Sequence, residues 1–274
     1  MSKNLRERIS ESPAAYLLTA ILLTWVGWWP AVFVSRSNVE LARLLQVVGG
    51  IGLVAATGIF LSLSSAGFRR SYLQRLVRGR FGPWWWLAAL ALPIVITAGA
   101  VWLDLRLGNG IAFTPLLNRM ANPKALIVSG FFLLFFGPLP EEISWRGYGL
   151  PRLRSRTGPL VSSILLGFVW TVWHLPLFWL KDSYQAKLGV MTPRFWLYML
   201  AAFCATFIYT WIWEGTQSTL AAVGFHFMAN FAGELFDPSH RADFMRTLVY
   251  LGIAGAISVY WFFCKPGRSD RKVF

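Results

Sequence analysis

The sequence predicts an all-α fold, a polytopic membrane helix bundle with about eight transmembrane helices. Apolar residues make up 56% of the chain and charged residues only 14%, whereas a soluble domain contains about 25% charged residues. The mean hydropathy is +0.52. The apolar residues form long runs that do not alternate with a period of two, which argues against membrane-spanning strands. This composition excludes a disordered chain, a coiled coil and an ordinary cytosolic enzyme.

Eight apolar runs are candidates for membrane spans, because a helix needs about 20 mostly apolar residues to cross a bilayer. They lie between a polar N-terminal tail, residues 1–13, and a short C-terminal tail, residues 265–274. No internal repeat or linker divides them, so residues 14–264 are expected to form a single transmembrane bundle. The eight runs are 14–34, 41–63, 83–103, 125–139, 160–180, 195–213, 218–235 and 248–264.

The chain is strongly basic, with a net charge of +14. Its Lys and Arg residues lie between apolar runs, which indicates contact with anionic membrane lipids and not with nucleic acid. More of them lie in the tails and loops on the membrane side that holds the N-terminus than in the loops on the opposite side. We therefore expect an integral membrane protein with both termini in the cytoplasm. The style of the sequence is that of a protein of a prokaryotic cell membrane.

Ionisable residues at membrane depth are costly and usually functional. The first such group, Glu141, Glu142 and Arg146, follows Pro138 and Pro140 at a helix start. Glu142 and Arg146 are four residues apart, so they share a helix face and can form an ion pair. Glu141 points about 140° away from Arg146 around the helix. The spacing therefore leaves Glu141 available for a different role.

Three further polar residues lie within other apolar runs: His174 in the fifth, and His226 and Asn230 in the seventh. At a rise of about 1.5 Å per residue, Glu141, His174 and Asn230 lie roughly 20 Å from the turns on one side of the bundle, and His226 roughly 13 Å. Because these depths are comparable, we expect the residues to form one intramembrane site.

Each group also has a purely structural interpretation. Glu142 and Arg146 could form only a structural ion pair. His174 could be a core histidine, and His226 with Asn230 could provide hydrogen bonds between helices. The occurrence of all three groups at similar depth favours a shared site over three separate structural features.

The polar pattern resembles that of the CPBP family, the CaaX proteases and bacteriocin-processing enzymes, which are also called the Abi family. The resemblance in span pattern covers residues from about 85 to 235. Three motifs carry it in family order, namely Glu141-Glu142-x-x-x-Arg146 (EExxxR), Trp170-x-x-x-His174 (FxxxH, with Trp in place of Phe) and His226-x-x-x-Asn230 (HxxxN/D).

The resemblance implies an intramembrane endopeptidase that cleaves a lipidated or membrane-associated protein or peptide, prenylated substrates among them. Glu141 would activate water as a general base, and Asn230 would stabilise the oxyanion. His174 and His226 would hold the water or polarise the scissile carbonyl. Glu142 and Arg146 would fix the helix that presents Glu141. These six residues form the predicted catalytic set.

The sequence does not decide whether the site uses a metal cofactor. Two histidines and a carboxylate match the ligands of a hydrolytic zinc site, so His174, His226 and Glu141 are predicted to bind Zn²⁺ or another divalent metal. No HExxH motif is present, and a metal-free mechanism based on glutamate is the alternative. Two other functions also fit buried Glu and His residues, namely a proton- or ion-coupled transporter and a non-catalytic membrane scaffold or immunity protein.

Overall fold

The computed structural model describes residues 5–108 and 113–264, and these residues form helices and connecting loops without any strand. The predicted all-α class is therefore confirmed. In chain order the helices of the described ranges are α1 Leu5–Ser10, α2 Pro13–Val34, α3 Val39–Leu63, α4 Ala66–Val77, α5 Pro83–Leu90, α6 Leu92–Arg106, α7 Thr114–Met120, α8 Pro123–Phe136, α9 Pro138–Ser144, α10 Leu150–Arg154, α11 Pro159–Trp173, α12 Tyr184–Leu188, α13 Pro193–Thr216, α14 Thr219–Phe236 and α15 His240–Cys264.

Six helices of the described ranges are long and apolar enough to cross a membrane, or seven if the bent pair α5 and α6 forms one span. The prediction of about eight is close to this number. The seventh predicted run does form a helix, α14, but His226, Asn230 and Glu234 make it less apolar. The last predicted run begins earlier than expected, because α15 starts at His240.

Side-chain caps explain where several long helices begin. A Ser, Thr or Asn before the first turn accepts a hydrogen bond from a backbone N–H three residues later, which satisfies a donor that the helix itself leaves unpaired. This arrangement occurs at Ser12 before α2, Asn38 before α3, Thr192 before α13 and Ser218 before α14.

Helices α2 and α3 pack with their backbones in close contact. A Cβ atom on Gly27 would lie 2.5 Å from the backbone nitrogen of Gly49, and one on Gly52 would lie 2.4 Å from the carbonyl oxygen of Leu23. Small residues allow such an approach between membrane helices. The glycines therefore make α2 and α3 a tightly packed pair beside the helices that carry the polar residues.

Hydrogen bonds join this pair to the polar centre. The Tyr16 hydroxyl of α2 donates to the carbonyl oxygen of Ser144 at 2.9 Å. The Trp25 indole donates to the carbonyl oxygen of Trp173, the last residue of α11, at 3.1 Å. These bonds fix the end of α9 and the end of α11 against the same neighbouring helix.

A surface helix, α4, contacts the same segment. Its Tyr72 hydroxyl donates to the carbonyl oxygen of Ile143 at 3.3 Å. Burial raises the pKa of Tyr72 to about 12, so the phenol stays protonated at neutral pH and keeps its donor. Helix α9 is therefore held from two sides, by α2 and by α4.

The span from Pro123 to Arg154 is not one regular helix. Helix α8 ends at Phe136, and Gly137 separates it from Pro138, which has no backbone N–H to continue the α-helical ladder. After α9, residues Trp145–Gly149 form a π-helical turn, in which the Leu150 N–H donates to the Trp145 carbonyl. Such turns are rare and are often found at functional sites.

Candidate active site

A fully buried ion pair lies at the centre of the bundle. Arg146 Nη1 is 3.0 Å from Glu142 Oε1, and both side chains are inaccessible to solvent. The pairing predicted from their spacing is confirmed. His226 Nδ1 of α14 lies 2.9 Å from the same carboxylate oxygen. Two of the three predicted polar groups therefore meet directly at Glu142.

Aromatic rings enclose the guanidinium of this pair. The Arg146 guanidinium carbon lies 4.2 Å from the ring centre of Tyr209 and 4.8 Å from that of Trp170. Its Nη2 atom also lies 3.5 Å from the Thr206 hydroxyl. Cation–π contacts stabilise a charge that burial has separated from water. The sequence interpretation missed Thr206 and Tyr209, although they are among the few polar residues in the run 195–213.

Glu141 has different surroundings from Glu142. Its Oε2 atom accepts a hydrogen bond of 2.7 Å from the Trp170 indole nitrogen. It interacts electrostatically with His226, and it forms no ion pair with any described Lys, Arg or His. Because Arg146 and His226 contact Glu142, Glu141 is the carboxylate of the pair without a bound cation.

His174 caps the end of α11 beside Trp170. Its Nδ1 atom lies 2.7 Å from the carbonyl oxygen of Trp170. A carbonyl oxygen only accepts, so Nδ1 carries the proton and Nε2 keeps its lone pair in the neutral ring. The same argument applies to His226, whose Nδ1 faces the Glu142 carboxylate. Both rings can therefore accept a hydrogen bond or bind a metal through Nε2.

This tautomer limits what the histidines can do. A neutral ring whose Nδ1 is the donor cannot also donate from Nε2, so it cannot polarise a carbonyl by hydrogen bonding. Accepting a hydrogen bond from water is compatible with the geometry. In the neutral form, both rings are therefore able to hold the water through Nε2.

Asn230 lies one turn beyond His226 on α14, and its side chain is exposed. Helical spacing places the two residues on the same face. One further turn along, Glu234 pairs with Arg119 of α7. The stripe on α14 thus runs from a buried histidine to an accessible amide and then to an ion pair at the helix end.

The predicted metal ligands are His174, His226 and Glu141. Within the described ranges, no group of three or more His, Cys, Asp or Glu side chains is placed so that it could hold a metal ion. The two free Nε2 atoms are suitable donors, but Glu141 is directed to the Trp170 indole.

The structure also shows a neighbour of the site that the sequence did not indicate. The ring of Tyr198 in α13 lies 5.7 Å from the ring of His174, centre to centre. Its hydroxyl accepts a hydrogen bond of 3.1 Å from the amide nitrogen of Gln185. Tyr198 therefore connects His174 to α12.

The chain is similar to known proteins over the region that contains these residues. Residues 123–232 match a family model described as Type II CAAX prenyl endopeptidase Rce1-like. The matched range contains the whole constellation from Glu141 to Asn230. The chain is also 26% identical over 273 residues to CAAX prenyl protease 2 of Methanococcus maripaludis, and the alignment covers 96% of both chains. These similarities support the resemblance of the chain to the CPBP family.

Proposed function

We propose that the protein is an intramembrane endopeptidase that hydrolyses a peptide bond of a lipidated or membrane-associated protein or peptide, with a water molecule activated by Glu141. The similarity to CAAX prenyl endopeptidases supports the reaction class. The relative is named as a CAAX prenyl protease, so a prenylated protein is the first substrate to test.

One observation carries the proposal. The two adjacent glutamates have different partners, because Glu142 is neutralised by Arg146 and contacts His226, whereas Glu141 receives only the Trp170 indole hydrogen bond. A general base needs a lone pair that no cation occupies. Glu141 Oε1 meets this requirement, and Trp170 holds the other oxygen in place.

In the first step, a water molecule gives a proton to Glu141 as its oxygen attacks the scissile carbonyl carbon. The second hydrogen of this water is donated to one of the two Nε2 atoms, of His174 or of His226, and this bond orients the water. The carbonyl oxygen becomes an oxyanion, and the side-chain amide of Asn230 is the neutral donor assigned to it. Glu142 and Arg146 hold the α9 segment and act as positioning residues.

In the second step, the carbon–nitrogen bond breaks. The proton taken up by Glu141 passes to the leaving amine, and the oxyanion returns to a carbonyl as a carboxylic acid forms. Glu141 is then ready for another cycle. A single residue that first accepts and then donates the proton accounts for both transfers without a second acid.

Product analysis tests the proposal directly. The full chain is purified in detergent and incubated with a farnesylated CaaX peptide and its unmodified counterpart, and the products are identified by mass spectrometry. We expect one new cleavage that Glu141→Gln reduces by at least about a thousandfold, as expected for loss of an essential general base. Glu40→Gln is the matched control, because Glu40 is an exposed acid paired only with Arg43.

The proposal is contradicted if the peptide disappears without a product that has a new terminus. It is also contradicted if cleavage persists in Glu141→Gln. Movement of protons in proteoliposomes without cleavage would favour the transporter instead. A parallel sample treated with a chelator tests the metal. Unchanged cleavage supports the metal-free glutamate mechanism, whereas loss with recovery on adding Zn²⁺ supports the ligand set predicted from His174, His226 and Glu141.

A further inference from the structure

Three arginines converge where the end of α3 meets α4 and α10. Arg69 and Arg75 belong to α4, and Arg152 belongs to α10. Arg152 and Arg75 are buried, and their guanidinium carbons lie 3.5 and 5.6 Å from the centre of the same Phe68 ring. Burial, together with the charge of Arg152, lowers the pKa of Arg75 to about 10, so Arg75 is still charged at neutral pH. We call Arg69, Arg75 and Arg152 the arginine cluster.

Two members of the cluster hold the same residue at the end of α3. Arg152 Nη2 donates to the Ser64 hydroxyl at 2.8 Å, and Arg69 Nη1 donates to the Ser64 carbonyl oxygen at 2.9 Å. Both guanidinium groups are therefore fixed beside Ser64 and contribute to one local positive field. Because Arg69 is exposed, this field reaches the surface of the protein.

The positive charge of Arg152 is not balanced by the described part of the chain. No Asp or Glu in residues 5–108 and 113–264 lies within ion-pair distance of Arg69 or Arg152. The hydrogen-bond partners of Arg152 are the neutral hydroxyls of Tyr148 and Ser64. Its Nη1 atom donates to no described residue and is not sealed from the surface.

A buried charge without a counter-ion is costly. Stacking of Arg152 on the Phe68 ring offsets part of this cost, but it provides neither an opposite charge nor an acceptor for Nη1. An anion from outside the chain supplies both. A phosphate group suits this position, because the planar fork of a guanidinium matches the spacing of phosphate oxygens.

The exposed face of α4 indicates the source of that anion. Arg69, Leu73 and Val77 follow at intervals of four residues, so they lie along one side of the helix. Leu73 is 60% exposed and Val77 is 80% exposed. Helix α4 directly follows α3, which is long and apolar enough to span the membrane. Exposed apolar side chains beside arginines are typical of a helix that lies in the headgroup region of a bilayer.

We propose that the arginine cluster binds the phosphate group of an anionic phospholipid. Arg69 and Arg152 are its direct contacts, Arg75 adds to the positive field, and the acyl chains cover Leu73 and Val77. The site is specific to these side chains, which distinguishes it from the general attraction of basic loops to an anionic membrane. It does not depend on the proposed cleavage reaction.

A lipid in this position would also brace the segment that carries the two glutamates. Tyr148, which accepts a hydrogen bond from Arg152 Nε at 3.4 Å, lies in the π-helical turn. Tyr72 of α4 donates to the carbonyl oxygen of Ile143, the residue after Glu142. A phosphate held by α4 and α10 together therefore joins two elements that both contact this segment.

Titration of the delipidated full chain in detergent tests the site. Native mass spectrometry measures the binding of dioleoyl phosphatidylglycerol and of dioleoyl phosphatidylcholine, which is zwitterionic. We expect phosphatidylglycerol to bind about tenfold more tightly than phosphatidylcholine, and Arg69→Gln and Arg152→Gln each to remove about this factor, as loss of a charge-assisted contact implies. Arg152→Lys keeps the charge but not the fork, so it should retain part of the affinity.

Arg70→Gln is the matched control. Arg70 is exposed and adjacent to Arg69, but it points about 100° away around the helix. Its substitution removes the same charge from the same helix and should change the affinity for phosphatidylglycerol by less than about twofold, because exposed charges are screened. Thermal unfolding checks that each variant is folded. If Arg152→Gln does not fold, the comparison of Arg69→Gln with Arg70→Gln decides the test.

Three results would overturn the assignment. The first is equal binding of the two lipids, and the second is an equal loss of affinity in Arg70→Gln and Arg69→Gln, which would indicate diffuse attraction to α4. The third is stabilisation against thermal unfolding by inorganic phosphate alone that equals the effect of phosphatidylglycerol and is lost in Arg69→Gln, since the site would then bind free phosphate. Glu141→Gln protein should bind phosphatidylglycerol like the wild type, so this test stands even if no peptide is cleaved.

Discussion

At the scale of single residues, Trp170 distinguishes this chain from the family pattern in which Phe occupies that position. Its indole nitrogen donates to Glu141 at 2.7 Å, and its ring lies 4.8 Å from the Arg146 guanidinium carbon. A Phe can preserve the ring contact but has no hydrogen to donate. Orientation of Glu141 therefore depends on the nitrogen, whereas packing around Arg146 depends on the ring.

Trp170→Phe is expected to lower kcat by about tenfold to a hundredfold and to change KM little, because a hydrogen bond to a charged group contributes about 1.5–3 kcal/mol. Steady-state kinetics on the farnesylated peptide measure both constants. Trp170→Leu removes the ring as well, so it should also lower the melting temperature. Full activity in Trp170→Phe would show that Glu141 is oriented by other contacts.

Glu142 gives a prediction about stability. Glu142→Gln leaves Arg146 buried without its carboxylate, and breaking a buried ion pair in this way costs about 3–5 kcal/mol. We expect a marked loss of thermal stability in detergent. The double variant Glu142→Gln/Arg146→Met should recover part of that loss, because no buried charge remains unpaired. Equal melting temperatures for Glu142→Gln and the wild type would show that the ion pair of Glu142 with Arg146 does not stabilise the fold.

At the scale of helices, the pairing of α2 with α3 depends on glycines where the two backbones meet. Gly27 has no room for a side chain, since its Cβ would lie 2.5 Å from the Gly49 nitrogen. Gly50, in α3 itself, has no heavy atom within 4 Å of the equivalent position. Alanine substitutions at the two positions therefore separate the effect of packing on stability from the effect of helix propensity.

Gly27→Ala should destabilise the protein by about 1–3 kcal/mol, the usual cost of overpacking. Gly50→Ala should have no cost or a small benefit, because alanine is the better helix former. Thermal unfolding of the two variants in the same detergent makes the comparison. Similar effects for both would mean that α2 and α3 can separate without penalty.

At the scale of the whole molecule, the orientation in the membrane determines which compartment each end of the bundle faces. The Lys and Arg distribution predicts cytoplasmic termini, so Cys264 at the end of α15 should face the cytoplasm. Cys204 is buried and Cys264 is exposed. Labelling of Cys264 thus reports the topology of the unmodified chain.

In intact cells, a maleimide that crosses membranes should label Cys264, and one that does not cross should fail to label it. Cys264→Ser removes the signal and serves as the control. Labelling of intact cells by the impermeant reagent would reverse the predicted orientation.

The helical fold was predictable because lipid demands long apolar helices, and that demand is visible in composition and run length. Irregular backbone was harder to predict from the sequence. The start of α9 followed from Pro138 and Pro140, but the π-helical turn at Trp145–Gly149 did not, since its extra residue has no periodic signature. The early start of α15 was missed because its first turn, from His240, is polar.

The polar core was only partly predictable. Spacing within one helix gave the contact between Glu142 and Arg146, because neighbours four residues apart always share a face. Contacts between helices, such as Trp170 with Glu141 or Tyr198 with His174, depend on how helices rotate against one another. No local pattern encodes that rotation, so the sequence placed these residues at similar depth without identifying the contacts.

The π-helical turn can also be viewed as an insertion of one residue into an otherwise α-helical span. Each residue rotates an α-helix by about 100°. Without the extra residue, the part of the span that includes Arg152, whose guanidinium bonds Ser64 at 2.8 Å, would be turned by that angle relative to Glu141 and Glu142. A single-residue deletion within Trp145–Gly149 would therefore preserve the two glutamates and still uncouple them from their anchor, which makes the length of this segment as important as its composition.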